Sequence, residues 1–330
     1  MKVIVFDVAA ESGGALTILM KYYNEAFKKK EHEWHFILST PELASKNNVT
    51  VHRYPWIKKS WFHRLFFDFF LAHKLIKDYN GDVVFSLQNI VIPFVKTRQV
   101  LYFHQILPFS EKKFSLIEEP IFWIYQNIIG KFIVYSIKNA DKIIVQANWI
   151  KNMFIKDYSL KTEKIIVQTP DLNINVQKKF ENAEQDGKTI FFYPASAAIY
   201  KNHQLIIEAS RQLVSKGITD FEVVLTLFGN EDAKIKKVKK TVELYNLPIK
   251  FIGQLSLLEV YEMYSKSILL FPSYIETFGL PLIEARMHET PILVSELEYA
   301  KEALKDYSEV RYFDPFDSRS LYNLMKKYVN

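Results

Sequence analysis

The 330-residue sequence contains no cysteine. That excludes disulfides, thiolate metal sites and a cysteine nucleophile, and says little about compartment. It also lacks a run of about 20 apolar residues, the length a membrane-spanning helix needs. The nearest stretch, IFWIYQNIIGKFIVYSI at 121–137, is interrupted by Gln126, Asn127 and Lys131 and reads as a buried or membrane-lying helix. Only a short apolar run, Val3 to Phe6, precedes Asp7. A signal peptide needs a longer one, so the chain is expected to stay in the cytoplasm. There is no Asp-x-Asp pair, hence no catalytic metal is expected, and no G-x-G-x-x-G dinucleotide fingerprint. Short-period repeats and low-complexity tracts are absent too.

What is present reads as soluble and globular: 49% hydrophobic and 24% charged residues, in a chain long enough for two cores. The formal charge of +6 is unevenly spread. Residues 1–180 hold 25 Lys or Arg against 16 Asp or Glu, leaving 18 against 21, so the first part carries +9 and the rest −3. Such asymmetry fits either an anionic partner (phospholipid, phosphorylated acceptor or nucleic acid) or a lysine-rich solvated surface.

Short β-branched runs alternate with helical patterns. Strands are expected at 2–7, 35–39, 82–87, 99–105, 142–147 and 164–170, and their unbroken apolar character suits a parallel sheet covered on both faces. Leu16, Leu19, Met20, Tyr23 and Phe27 form one helical stripe. The polar segment 177–188 reads as a linker, after which the alternation restarts with TIFFYPA, FEVVLTLFG, IKFIGQ and SILLFPS as strands and a helix from Pro281. Two successive βα runs imply an α/β fold of two doubly wound, Rossmann-like domains, 1–180 and 181–330.

In such sheets ligands bind beyond the carboxyl ends of the strands. Three places there carry anion-binding chemistry. In ESGGALTIL, Gly13 and Gly14 lie between the first strand and its helix, where bare amides can approach a phosphate; a tight turn without ligand reads equally well. In YPASAAIYKNHQLIIEA, Lys201 precedes Asn202, a plausible helix N-cap, and can pair with phosphate charge or simply be surface. In FPSYIETFGLPLIEA, Glu276 precedes a Phe278-Gly279-Leu280 turn with Thr277 beside it, and Glu284 follows one turn inside the helix. A carboxylate can accept both hydroxyls of a ribose, a second can hold sugar hydroxyls, and amides between them can face a diphosphate. The alternative is chance spacing, with acidic residues near a helix start favoured by its dipole.

The whole string FPSYIETFGLPLIEA resembles the signature of retaining GT-B glycosyltransferases of family 4. ESGGALTIL looks like that family's glycine loop, YFHQILPF like its His-containing segment, ADKIIVQANWIKNMF like its Ala-Asp-x-Ile-Ile stretch, and FDPFDSRSL matches in kind. The resemblance covers nearly the whole chain. It implies two domains facing a cleft, and a hexose-type sugar moved with retention from a nucleotide-sugar to a hydroxyl acceptor, such as a sugar or lipid-linked sugar in cell-envelope polysaccharide or glycolipid synthesis. No metal, other cofactor or nucleic-acid partner is implied. By resemblance, Glu284 binds the ribose, Glu276 the donor sugar, and the turn from Thr277 to Leu280 the sugar and distal phosphate. Lys201 neutralises the leaving diphosphate, Gly13 and Gly14 approach it, and His104 lines the sugar site; a structural role for His104 remains open.

Three departures stand out. Ser196 occupies a position where many members carry a second phosphate-binding Arg, Glu289 replaces the usual Gly after the second glutamate's helix, and the chain ends early for the family, at LYNLMKKYVN. Two other functions fit the same architecture: an epimerase or phosphorylase, and an inactive subunit that binds a partner. The base, sugar, acceptor, linkage and oligomeric state are not written in the sequence. Finally, KKSWFHRLFFDFFLAHKL at 58–75 interleaves Lys58, Lys59, Arg64, His73 and Lys74 with Trp61, Phe62, Phe66, Phe67, Phe69 and Phe70. This is either an interfacial helix on anionic lipid, placing the enzyme peripherally at the cytoplasmic membrane face, or a core helix with its aromatics against the sheet.

Overall fold

The computed structural model describes residues 1–11, 13–172 and 174–329. The chain divides into two compact units, Met1–Thr169 and Pro170–Asn330. The first runs β1 (Lys2–Asp7), α1 (Gly13–Lys28), β2 (Glu33–Leu38), β3 (Val49–Arg53), a 3₁₀ turn (Pro55–Lys59), α2 (Trp61–Phe66), a π-helical turn (Phe67–Leu71), α3 (Ala72–Asp78), β4 (Val83–Ser86), β5 (Arg98–Phe103), α4 (Pro120–Ile124), a second π turn (Tyr125–Ile129), α5 (Gly130–Asn139), β6 (Lys142–Val145), α6 (Asn148–Tyr158) and β7 (Ile165–Val167). Its strands pair in parallel in the order β3-β2-β1-β4-β5-β6-β7.

Alternation along β1 builds the two faces of this sheet. Val3 and Val5 pack with Leu19, Tyr22, Tyr23 and Ala26 of α1, while Ile4 and Phe6 pack on the other face with Phe67, Ala72 and Ile76. Both faces are therefore dry, as the unbroken apolar strands require. Removing a ring such as Phe6, which is fully buried, belongs to the class of core truncations costing about 3–5 kcal/mol.

The second unit runs β8 (Glu184–Gln185), β9 (Lys188–Tyr193), a 3₁₀ turn (Ile199–Lys201), α7 (His203–Ser215), β10 (Phe221–Leu225), α8 (Ala233–Leu244), β11 (Ile249–Phe251), α9 (Leu257–Ser265), β12 (Ile268–Phe271), α10 (Leu280–Met287), β13 (Ile292–Ser295), α11 (Glu298–Ala303), β14 (Val310–Phe313) and α12 (Ser318–Met325). The order β11-β10-β9-β12-β13-β14 is parallel throughout, and short β8 adds an antiparallel partner to β9. The segment expected as a linker is thus partly a hairpin, closed by Asp186 and Gly187 at φ 51° and 73°, the left-handed pair that a tight two-residue turn needs. It is also tied to the second unit, since the Phe180 and Glu181 amides donate to the His288 and Ser265 carbonyls at 2.6 and 2.9 Å.

Candidate active site

The strand order of the second sheet reverses between its neighbours β9 and β12, and the residues expected at the donor site emerge there. Lys201 ends the 3₁₀ turn after β9, and Glu276 lies in the loop after β12. Backbone bonds bring the two together. The Tyr200 carbonyl accepts from the Tyr274 amide (3.0 Å) and the Ser273 hydroxyl (3.3 Å), and the buried Tyr193 hydroxyl donates to the Lys201 carbonyl (2.9 Å). Asn202 was expected to cap α7; it occupies the cap position at φ 60° without a capping side-chain bond. Its amide instead donates to the carbonyls of Pro272 (3.3 Å) and Pro315 (2.8 Å), pinning this turn to two other loops. The result is a Lys201 Nζ–Glu276 Oε1 ion pair of 2.5 Å, largely shielded from solvent. Rings of Tyr200 and Phe271 lie under the ammonium at 5.6 and 5.7 Å.

α10 opens at Leu280, one residue before the expected start, with Gly279 at its cap. Gly279 has φ 72°, and a Cβ there would lie 3.2 Å from both Leu282 and Tyr299, so backbone and packing each require glycine. Leu280 has no intrahelical acceptor for its amide, and Pro281 has no amide to leave unmet. Thr277 and Phe278 are half-buried beside this helix mouth and Leu280 is exposed. Glu284, one turn in, is only 8% exposed, and the buried Tyr264 hydroxyl donates to its Oε2 at 3.2 Å. Burial pushes this carboxyl up to about 7, against the opposing pull of the Tyr264 bond. No sequence motif marks Tyr264; it is one of several apolar-spaced positions on α9.

The end of α10 answers the question raised by Glu289. The Thr290 amide donates to the Ala285 carbonyl (3.0 Å) and the Glu289 amide to the Arg286 carbonyl (3.0 Å), with Glu289 at φ 62°. This is a Schellman ending with glutamate in the left-handed position that glycine usually takes.

In the first unit, Gly13 begins α1 at φ 59°, and Ser12 of the glycine string lies outside the described residues. Chain neighbours and the helix's own backbone aside, no atom of the described residues lies within 4 Å of a Cβ built on Gly13 or Gly14. Gly13 is explained by its dihedral; Gly14 has no packing reason to be glycine. His104 follows β5, and Asn89 holds it twice, accepting from the His104 amide at 2.7 Å and meeting Nε2 at 3.3 Å. Because the Asn89 oxygen is committed to that amide, its NH₂ group faces the ring, so Nε2 accepts and the ring proton sits on Nδ1. Burial pushes the imidazole down to about 4, so it is neutral at pH 7, and Nδ1 is buried without a partner among the described residues. Ser196 is exposed after β9. Among the described residues, no group of three or more His, Asp or Glu gathers at metal-binding distances.

Two doubly wound units, one with a lysine–carboxylate pair and a second carboxylate around a helix mouth at its switch point, make up a GT-B fold. Residues 175–330 match the family model described as Glycosyl transferases group 1. The chain is 23% identical over 313 residues to the O-antigen chain mannosyltransferase RfbU of Salmonella typhimurium, covering 94% of this chain and 80% of RfbU. Its fold matches a sucrose-phosphate synthase from Thermosynechococcus elongatus with TM-score 0.72 at 16% identity, covering 99% of this chain and 89% of that one. It also matches Anabaena HepE in complex with UDP-glucose, with TM-score 0.65 at 16% identity, over 99% and 89% of the two chains.

Proposed function

We propose that the protein is a retaining glycosyltransferase that moves a hexose-type sugar from a nucleotide-sugar to a hydroxyl acceptor in cell-envelope polysaccharide or glycolipid synthesis. The observation that carries this reading is the Lys201–Glu276 pair held beside the mouth of α10. In the reaction, the bond between the anomeric carbon and the diphosphate oxygen breaks while the acceptor oxygen attacks the same face. The acceptor's proton passes to the departing diphosphate. Lys201 and the first amides of α10 stabilise the charge that grows on that leaving group, which is the largest task left to the protein. Glu276 accepts from hydroxyls of the donor sugar, and Glu284, oriented by Tyr264, accepts from the ribose. Gly13 and Gly14 leave their amides clear for the phosphates, and the neutral His104 offers Nδ1–H to the sugar. No metal takes part, so EDTA leaves turnover unchanged. Support for the pathway class comes from RfbU, an O-antigen chain mannosyltransferase, and for the donor class from HepE, which binds UDP-glucose.

The membrane face belongs to the same proposal. Trp61, Phe62, Leu65, Phe66 and Phe70 are exposed, with Phe62 83% and Phe70 63% accessible, whereas Phe67 alone of that stretch's expected aromatics is fully buried. Phe69 joins this face to Phe94 and Phe132 (ring centroids 6.3 and 6.1 Å), the latter on the half-exposed helix of 120–139. No helix among the described residues is long and apolar enough to cross a membrane. An aromatic face flanked by Lys59 and Lys74 suits lying on an anionic bilayer at the cytoplasmic side, where a lipid-linked acceptor would be met.

Turnover tests the assignment. Lys201→Ala is expected to lower kcat more than it raises the donor KM, because its contact strengthens as the leaving group charges. Glu276→Gln is expected to spare nucleoside diphosphate binding and reduce turnover. Near-normal kcat in both variants removes the site. Release of nucleoside diphosphate that depends on an acceptor separates transfer from epimerisation and from an inactive binding subunit.

A further inference from the structure

The β1–α1 loop, Val8 to Glu11, is held by side chains from the ends of three neighbouring elements. The Val8 carbonyl accepts from the Ser39 hydroxyl (2.9 Å), just past β2, and its amide donates to Gln88 Oε1 (3.4 Å), just past β4. Ala10 donates its amide to Asp7 Oδ1 at 3.2 Å. Lys58, in the 3₁₀ turn after β3, reaches the loop twice, donating from Nζ to the Ala9 carbonyl (3.0 Å) and pairing with Glu11 Oε2 (3.3 Å), while Thr40 donates to Glu11 Oε1 (3.3 Å).

Lys58 is unlike its neighbour. Both lysines are exposed, but the Lys58 ammonium is committed to a loop 49 residues earlier in the chain. Beneath it lies Asp7, 1% exposed, for which Lys58 and Arg64 are the facing cations. Arg64 is itself bonded through Nε to Asp68 Oδ2 at 2.5 Å. With a carbonyl and a carboxylate of the same loop bonded to its ammonium, Lys58 is tied down, and the segment it fixes leads toward Gly13 and Gly14, where no other described residue beyond the chain neighbours and the helix's own backbone comes within 4 Å of an added Cβ.

We infer that Lys58 is a positioning residue: it holds the β1–α1 loop in the conformation in which the Gly13 and Gly14 amides are presented to an anionic ligand, and it takes no part in membrane contact. The inference rests on the proposed reading of the glycine turn as a phosphate-binding element. The test compares Lys58→Met, Lys58→Arg and, as control, Lys59→Met in the full chain. Amide exchange is followed over residues 9–14, together with donor kinetics and binding to anionic vesicles. Lys58→Met should speed exchange of the loop amides about tenfold and raise the donor KM about tenfold with a smaller change in kcat. Lys58→Arg should restore much of both, and vesicle binding should follow Lys59 and not Lys58. Unchanged loop exchange in a Lys58→Met protein that melts normally overturns the inference. So does faster exchange with an unchanged donor KM, or a loss of vesicle binding. If Lys58→Met melts early, the Lys58→Arg variant carries the comparison. Should the wild-type protein turn over no nucleotide-sugar while the exchange effect persists, the functional reading fails and the strut stands.

Discussion

Glu284 shows how a residue's surroundings set both its use and its cost. Buried among apolar side chains with one phenolic donor, its carboxyl is raised from an ordinary 4.5 to about 7. The folded state therefore holds this proton more tightly than the unfolded chain does. Stability from this group is present below pH 4.5 and is lost as pH rises toward 7. Glu284→Gln avoids that cost, so its melting temperature should exceed the parent's by a few degrees at pH 8 and match it near pH 4. Nucleotide affinity should move the other way. Loss of a hydrogen bond to a charged group, about 1.5 to 3 kcal/mol, weakens nucleoside diphosphate binding roughly 10- to 150-fold, and parent affinity itself should rise with pH through 7 as the carboxylate forms. Calorimetry at pH 6 and 8 reads both effects, and an affinity unchanged by Glu284→Gln would detach this residue from the ribose. The positions of Glu276 and Glu284 were legible because the string between them names a strand end, a glycine turn and a helix start. Tyr264, Asn89 and Asp7 were not, since each acts through a contact made across the fold by a residue type that is common in any core.

At the scale of elements, unbroken apolar runs exposed most strands, and three strands of the two parallel ladders went unread. β3, read VTVHR, sits at the sheet edge, and β13 and β14 follow the glutamate string, beyond the last strand that was read. The stretch 58–75 was ambiguous for a different reason. A π-helical turn at Phe67–Leu71 interrupts the 3.6-residue period, so Phe67 faces the sheet while Phe66 and Phe70 stack outward with centroids 5.6 Å apart. The structure thus divides the aromatics between core and surface, and neither uniform reading of them holds. It also commits two of the cations expected on that face to protein partners: Lys58 is tied to Ala9 and Glu11, and Arg64 to Asp68. A vesicle experiment should therefore alter Lys59 and Lys74. Each cation near an anionic surface contributes about 1 kcal/mol; Lys59→Glu with Lys74→Glu should weaken binding to phosphatidylserine-rich vesicles by well over tenfold at low salt. Phe62→Ser with Phe66→Ser should weaken it at all salt concentrations. A parent protein that ignores such vesicles at low ionic strength leaves a soluble acceptor as the better reading.

Taken whole, the molecule consists of two units that each carry their own sheet and core. The charge follows the same division: Met1–Thr169 holds 23 Lys or Arg against 15 Asp or Glu, a balance of +8, leaving 20 against 22, or −2, for the second unit. Lys201, Glu276, Glu284 and Tyr264 all belong to the net-negative unit, so on the proposed reading attraction of a nucleotide-sugar comes from local groups and not from the unit's net field. A ligand at 100 times its dissociation constant stabilises the state it binds by about 2.7 kcal/mol. If those four residues make the donor site, a nucleoside diphosphate at that level should slow amide exchange across β9, β12 and α10. In the first unit it should reach no further than the loop from Ala9 to Gly14, leaving the cores on both faces of β1 exchanging as before. Anionic vesicles should do the converse, protecting residues near 59–75 and leaving α10 unaffected. Hydrogen exchange on the full chain reads both ligands at peptide resolution. Uniform slowing of both sheets by the nucleotide would mean that binding is not confined to the switch point of the second sheet, and would contradict the division of labour inferred from where these side chains lie.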